Sequence, residues 1–284
     1  MAFLRRSLRI AADAFARFVA DDGWAIASHI ALSALMALFP FLLVVTAVAG
    51  IFGSRSLAEE AAKILLEAWP EQVASPIALE IHSVLTSAGG EVLTIGLVIA
   101  LYFSSSGVES LRIGLNRAYD VPEPRPWWLL RLESIGYVIL GAVALLAFAF
   151  LVVLAPLIWA TLIRYMPGLR PLGWVITFVR FGVAAFVLIV ALVIVHKWLP
   201  AGQRRLVDIA PGILATLLLW LIGGEIFGRY LAEYAFTYAY YYAGLASVMI
   251  ALVFLYLSAS IFLYGGELNA AIERARERPT QVID

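Results

Sequence analysis

The sequence predicts an all-α, polytopic membrane protein with six transmembrane helices, and three observations carry that prediction. Apolar residues make up 63% of the 284 and charged residues only 14%, against roughly a quarter charged in an ordinary soluble domain. The apolar residues gather in six blocks of about 20 residues or more, enough at about 1.5 Å per residue to cross a hydrocarbon core of about 30 Å. The blocks are solid runs, not the alternating ten-residue segments of a barrel, and in lipid an open backbone is otherwise satisfied only by helices.

Residues 1–23 come first. Leu4, Leu8, Ala11, Phe15 and Phe18 share one helical face and Arg5, Arg9, Asp13 and Arg17 the other, as in an amphipathic helix lying in the headgroup layer, where its simplest role is a topology anchor. The first span, Trp24 to Gly53, is too long for a signal-peptide core and carries Pro40 near its middle. About residues 54–91 form an outer insertion. Its stripes Leu57, Ala61, Ile64, Leu65, Ala68 and Val73, Ile77, Ile81, Val84 predict two short amphipathic helices at the membrane surface, with an acidic solvated side.

The second span, Val92 to Leu111, has a continuous apolar run only to Phe103. It must continue through Ser104-Ser105-Ser106-Gly107, small residues that allow either close helix approach or a broken helix lining water. The third span, Ile135 to Ile163, holds Pro156, and Pro40 and Pro156 are expected to kink their helices. Trp174 to Val195, Ile209 to Phe227 and Ala243 to Tyr264 complete the set. Six tyrosines between Arg229 and Tyr242 read as an interfacial belt on the outer side. The transmembrane domain is thus 24–272, and 273–284 a short tail.

Charge sets the expected orientation. With the N-terminus inside, the twenty Lys and Arg divide fourteen to six in favour of the cytoplasmic connections and termini, which predicts N-in, C-in. Zero cysteines exclude a disulfide framework and a thiolate metal site.

Ionisable groups at membrane depth are expensive and usually face a cavity or a partner. Glu109, Arg112 and Asn116 share one helical face near the inner end of the second span. His29 and Ser33 lie at a similar level in the first, and Glu267 with Asn269 closes the sixth. Together they outline a polar cytoplasmic vestibule, against the plain alternative of helix-end residues reaching water. Depth alone also suggests an ion pair between Arg180 and Glu225 near the outer side.

The Phe39-Pro40 element, the block Ser104 to Asn116 with Tyr119 and Arg125, Pro211-Gly212 followed by Trp220, and the run from Tyr242 to Gly266-Glu267-Leu268-Asn269-Ala270 stand in order across the spans. In these the chain resembles the YihY/BrkB membrane protein family, once labelled ribonuclease BN, over about Phe15 to Ile272. One departure is Tyr242-Ala243-Gly244, where the family has Gly directly after Tyr. The resemblance implies a multi-pass protein of the bacterial inner membrane, associated with envelope integrity or virulence, and lipid or amphiphile transport as an expectation.

The old nuclease label meets no supporting chemistry. Metal-dependent phosphodiester hydrolysis needs clustered His and carboxylates, whereas His29, His82 and His196 lie on separate segments, with no basic groove interleaved with aromatics for nucleic acid. No Gly-x-Ser-x-Gly elbow or Walker loop is present. The sequence therefore points away from an enzyme, a cofactor or a bound metal. Two readings remain: a transporter or flippase binding a polar head group at the vestibule, or a scaffold recruiting an envelope protein or a second copy of itself among membrane lipids.

Overall fold

The computed structural model describes residues 2–51, 63, 93–165, 174–242 and 245–277. Among these all regular structure is helical: α1 (Ala2–Ala20), α2 (Gly23–Ile51), α3 (Leu93–Ala118), α4 (Trp127–Tyr165), α5 (Trp174–Trp198), α6 (Leu206–Tyr242) and α7 (Ala246–Glu277). Four described stretches are long and apolar enough to cross a membrane, Trp127–Phe150, Phe181–Trp198, Leu206–Tyr234 and Ala246–Arg276, and Gly23–Leu38 is a shorter apolar helix. The outer insertion, apart from residue 63, and the final residues of the tail lie outside the described residues.

The helices overrun the apolar blocks because hydrogen bonding along a helix does not stop where hydrophobicity does. α4 has 39 residues, about 58 Å, and begins eight residues before the apolar block at Ile135. α6 has 37 residues and continues through the tyrosine-rich segment that reads from sequence as a separate connection. Helix is continuous across both prolines, Pro40 in α2 and Pro156 in α4, the side chain of the latter lying outside the described set. α3 likewise passes unbroken through its serines. Ser104 Oγ donates to the Ala100 carbonyl at 2.7 Å and Ser105 Oγ to the Tyr102 carbonyl at 2.7 Å, so these hydroxyls are satisfied by their own helix.

The chain forms two compact units. The first contains Met1–Leu35, Ser106–Arg131 and Ala191–Asp284, the second Met36–Ser105 and Leu132–Val190. The second has an apolar interior, including Val44, Val45, Ala142 and Ala149, in which the buried polar side chains among the described residues are serines. The first holds the buried charges Arg112 and Glu267 together with Asn116, His196 and Asn269.

Close backbone approach organises the first unit. A Cβ at Gly212 of α6 would collide with the Gly265 carbonyl of α7, and one at Gly265 with Thr216 Oγ1. The two helices therefore touch main chain to main chain. Farther along, Trp220 Nε1 donates to the Ser258 carbonyl at 3.0 Å and Phe227 stacks on Phe254. α3 enters the same core, where a Cβ at Gly114 would stand 2.7 Å from Leu263 and 3.0 Å from Ile30.

α1 docks on α7. Ala14 and Phe18 are buried, Tyr264 Oη donates to the Ala11 carbonyl at 3.3 Å, and Arg274 pairs with Asp13 at 3.5 Å. Leu8 and Phe15 stay more than half exposed. The apolar stripe read from sequence thus splits, one edge seated on protein and the other exposed.

Candidate functional site

The site grows from the way α3 ends. Asp120 takes a left-handed φ of 52°, Asp120 N–H donates to the Arg117 carbonyl and Val121 N–H to the Asn116 carbonyl, both at 3.0 Å, closing the helix in a Schellman-type cap. Pro122, Pro124 and Pro126 then keep the chain from resuming a helix until Leu129 and Leu130 bond back to the Pro126 carbonyl. This cap and proline loop carry Tyr119, Glu123 and Arg125 past the inward face of α3.

Glu123 is the hub. It accepts from Arg125 Nε at 2.7 Å and Nη2 at 2.8 Å, and from Asn116 Nδ2 at 2.9 Å. Arg112, 1% exposed, donates to the Leu130 carbonyl at 3.2 Å and to Glu109 at 3.3 Å, with Glu123 at 3.9 Å. Arg131 holds the other Glu109 oxygen at 2.9 Å. Asn116 and Arg125 then reach the α5–α6 connection: Ala201 N–H donates to Asn116 Oδ1 at 2.7 Å and Arg125 to the Leu199 carbonyl at 3.0 Å.

A second network lies on α6 and α7. Asn269 Oδ1 accepts from Gly212 N–H at 2.6 Å, just after Pro211 has removed a donor from the first turns of α6, and its amide donates to Tyr119 Oη at 3.2 Å. The Arg204 guanidinium lies 3.7 Å over the Tyr119 ring. Burial pushes the Tyr119 hydroxyl up to about 12, against the opposing hydrogen bond from Asn269, so it remains a neutral donor and acceptor at ordinary pH.

Of the residues singled out from sequence, Glu109, Arg112 and Asn116 are joined through Glu123, and Asn269 is bound to Tyr119. His29 is exposed on α2 with Nε2 3.3 Å from Ser110 Oγ, and Ser33 is half-buried on the same helix. Glu267 is 2% exposed, and its Oε2 has no hydrogen-bond partner among the described residues. Glu225 pairs at 2.7 Å with Arg229, one turn along α6, while the side chain of Arg180 on α5 lies outside the described residues. Glu123, Arg204 and the Gly212–Gly265 contact escaped sequence reasoning. Glu123 sits in a Pro-Glu-Pro loop between Tyr119 and Arg125 of the motif block, outside the apolar spans in which polar residues draw notice. No group of three His, Asp or Glu that could hold a metal occurs among the described residues.

The paired Arg125 guanidinium holds the Glu123 carboxyl down at about 2, from an ordinary 4.5, with Asn116 assisting against burial. A depressed carboxylate stabilises the fold above its unfolded value, and that stability is lost as pH falls from about 4.5 through about 2. In acid unfolding of the detergent-solubilised protein, Glu123→Gln is expected to lower stability at neutral pH and to flatten the profile in that window. An unchanged profile would remove Glu123 from the hub.

Comparison with known proteins agrees with this architecture. The family described as "Virulence factor BrkB" matches residues 14–282. A ribonuclease-like protein of Bacillus subtilis, YfkH, is 24% identical over 267 residues, covering 94% of this chain and 96% of its own. The UPF0761 membrane protein RC1_0578 of Rhodospirillum centenum is 24% identical over 270 residues, covering 92% of this chain, which spans 56% of that longer protein. No solved structure matches. With nearly its whole length matched, and with apolar helices long enough to cross a membrane, the chain belongs to the BrkB family of membrane proteins.

Proposed function

We propose that this protein crosses the bacterial inner membrane six times with both termini in the cytoplasm, and that it moves a lipid or similar amphiphile between leaflets without enzymatic chemistry. The observation that carries the reading is Glu267. A buried carboxylate within the apolar length of α7, one oxygen of which has no partner among the described residues, is costly to keep in a packed bundle unless it serves a proton or a passing polar group. The arginine-rich ends of the spans support the orientation.

A second reading, a non-transporting scaffold for envelope integrity, has its own support. Glu109, Arg112, Asn116 and Asn269 all spend their hydrogen bonds within the protein, as residues that lock helix ends would. One experiment separates the two. In vesicles holding the purified protein, labelled phospholipid is expected to change leaflets faster than in protein-free vesicles, and Glu267→Gln to slow that movement by about tenfold or more while thermal stability is kept. Movement no faster than in empty vesicles would reject transport. A Glu267→Gln protein that misfolds, with parent vesicles inactive, would favour the scaffold.

A further inference from the structure

The loop that links α5 to α6 borders a cleft of about 600 Å³ in the first unit, with Arg125 from the proline loop on its other wall. Arg125, Lys197, Arg204 and Arg205 line it, and no carboxylate does. Arg125 is neutralised by Glu123, which leaves three cations facing the space without a lining anion. The N-terminus of the 37-residue α6 begins at Leu206, directly after Arg205, and adds positive potential to the same edge. Asp208 in that first turn is engaged by Arg276 at 2.6 Å and does not line the cleft.

The walls are built in advance. Asn116 holds the Ala201 amide, Arg125 holds the Leu199 carbonyl, and Arg204 is fixed over Tyr119 while donating to the Ala201 carbonyl at 2.9 Å. Lys197 and Arg205 are thus the cations left to close on a ligand. Lys197 Nζ also stands 4.7 Å from the ring of Trp198, which is 53% exposed at the end of the apolar stretch Phe181–Trp198. An indole at that level marks the membrane interface. A ligand in the cleft therefore has cations for an anionic head and the exposed Trp198 indole beside them for the start of a chain.

We propose that this cleft binds the phosphate of an anionic lipid head group. The chemistry is that of a phosphate met by guanidinium and ammonium donors, and the location selects a lipid over a soluble phosphate ester. The site is the same whether the protein moves the amphiphile or only holds it, so it goes beyond the transport reading and is tested by binding alone.

The test uses the full chain in detergent with three probes: dihexanoyl phosphatidic acid, dihexanoyl phosphatidylcholine and inorganic phosphate, with binding followed by calorimetry. Phosphatidic acid is expected to bind about tenfold or more tightly than either of the others. The double variant Lys197→Gln/Arg205→Gln is expected to weaken it by about tenfold and Arg205→Gln alone by roughly threefold, both with unchanged thermal stability. Arg5→Gln/Arg9→Gln, which removes exposed cations of α1, should leave the affinity within about twofold. Equal losses in the α1 variant would mean diffuse surface attraction and overturn the site. Inorganic phosphate binding as tightly as phosphatidic acid would overturn the lipid, and an undiminished affinity in both cleft variants would overturn the cleft.

Discussion

Replacing Arg112 with methionine is expected to destabilise the first unit by about 3 kcal/mol, the lower end of the cost of breaking a buried charge network. The guanidinium is almost wholly buried and donates to the Leu130 carbonyl and to Glu109, with Glu123 at 3.9 Å, so its loss leaves one carbonyl and one carboxylate short of a donor and Glu123 short of a neighbouring cation. The effect stays at the lower end because Arg131 still holds Glu109 and Arg125 still holds Glu123. Lysine should recover less than half, since an ammonium cannot reproduce the planar fork that reaches the Leu130 carbonyl and Glu109 together. A double variant, Arg112→Met/Glu123→Gln, should be less destabilised than the sum of its parts, because the Arg112 to Glu123 attraction can be lost only once. Thermal unfolding in detergent measures all three. A methionine variant as stable as the parent would show that the network is decoration.

Gly212→Ala is expected to cost as much or more, about 3 kcal/mol, for a different reason. The added methyl would meet the Gly265 carbonyl and the Asn269 side chain, neither of which can swing aside as the tip of a long side chain can. The helices must part, and parting them also strains the Gly212 to Asn269 hydrogen bond. Two other glycines of α6 calibrate the result. At Gly223 the new carbon would stand 3.3 Å from the end of the Ile261 side chain, and at Gly228 nothing lies within 4 Å. Alanine there should change stability by less than about 1 kcal/mol in either direction. Equal losses at all three positions would indicate a general intolerance of α6 to substitution, with no role for the tight crossing.

How much of this was legible beforehand depends on the range of the interaction. The helices were, because their apolar blocks signal within twenty residues, although block ends understate helix ends, as at α4 and α6. Arg112, Asn116 and Asn269 stood out because polar groups at depth are costly wherever they point. Their partners did not. Asn116 meets Ala201 across 85 residues, and the Gly212–Gly265 contact joins helices whose glycines share no local period. Glu225 illustrates the limit of reasoning from depth: cost marks a residue as in need of a partner, and its own helix supplies Arg229 four positions on.

The order of synthesis adds a consequence to the seat of α1 on α7. Ala11 waits for Tyr264 across 253 residues, and Tyr119 for Asn269 across 150. The ribosome releases the first helix long before its resting place exists, and with cations on one side and Leu8 and Phe15 on the other it can float on the bilayer surface until then. The final helix is a keystone. A nascent chain halted before Tyr264 leaves α1 without its berth and Gly212 without its acceptor.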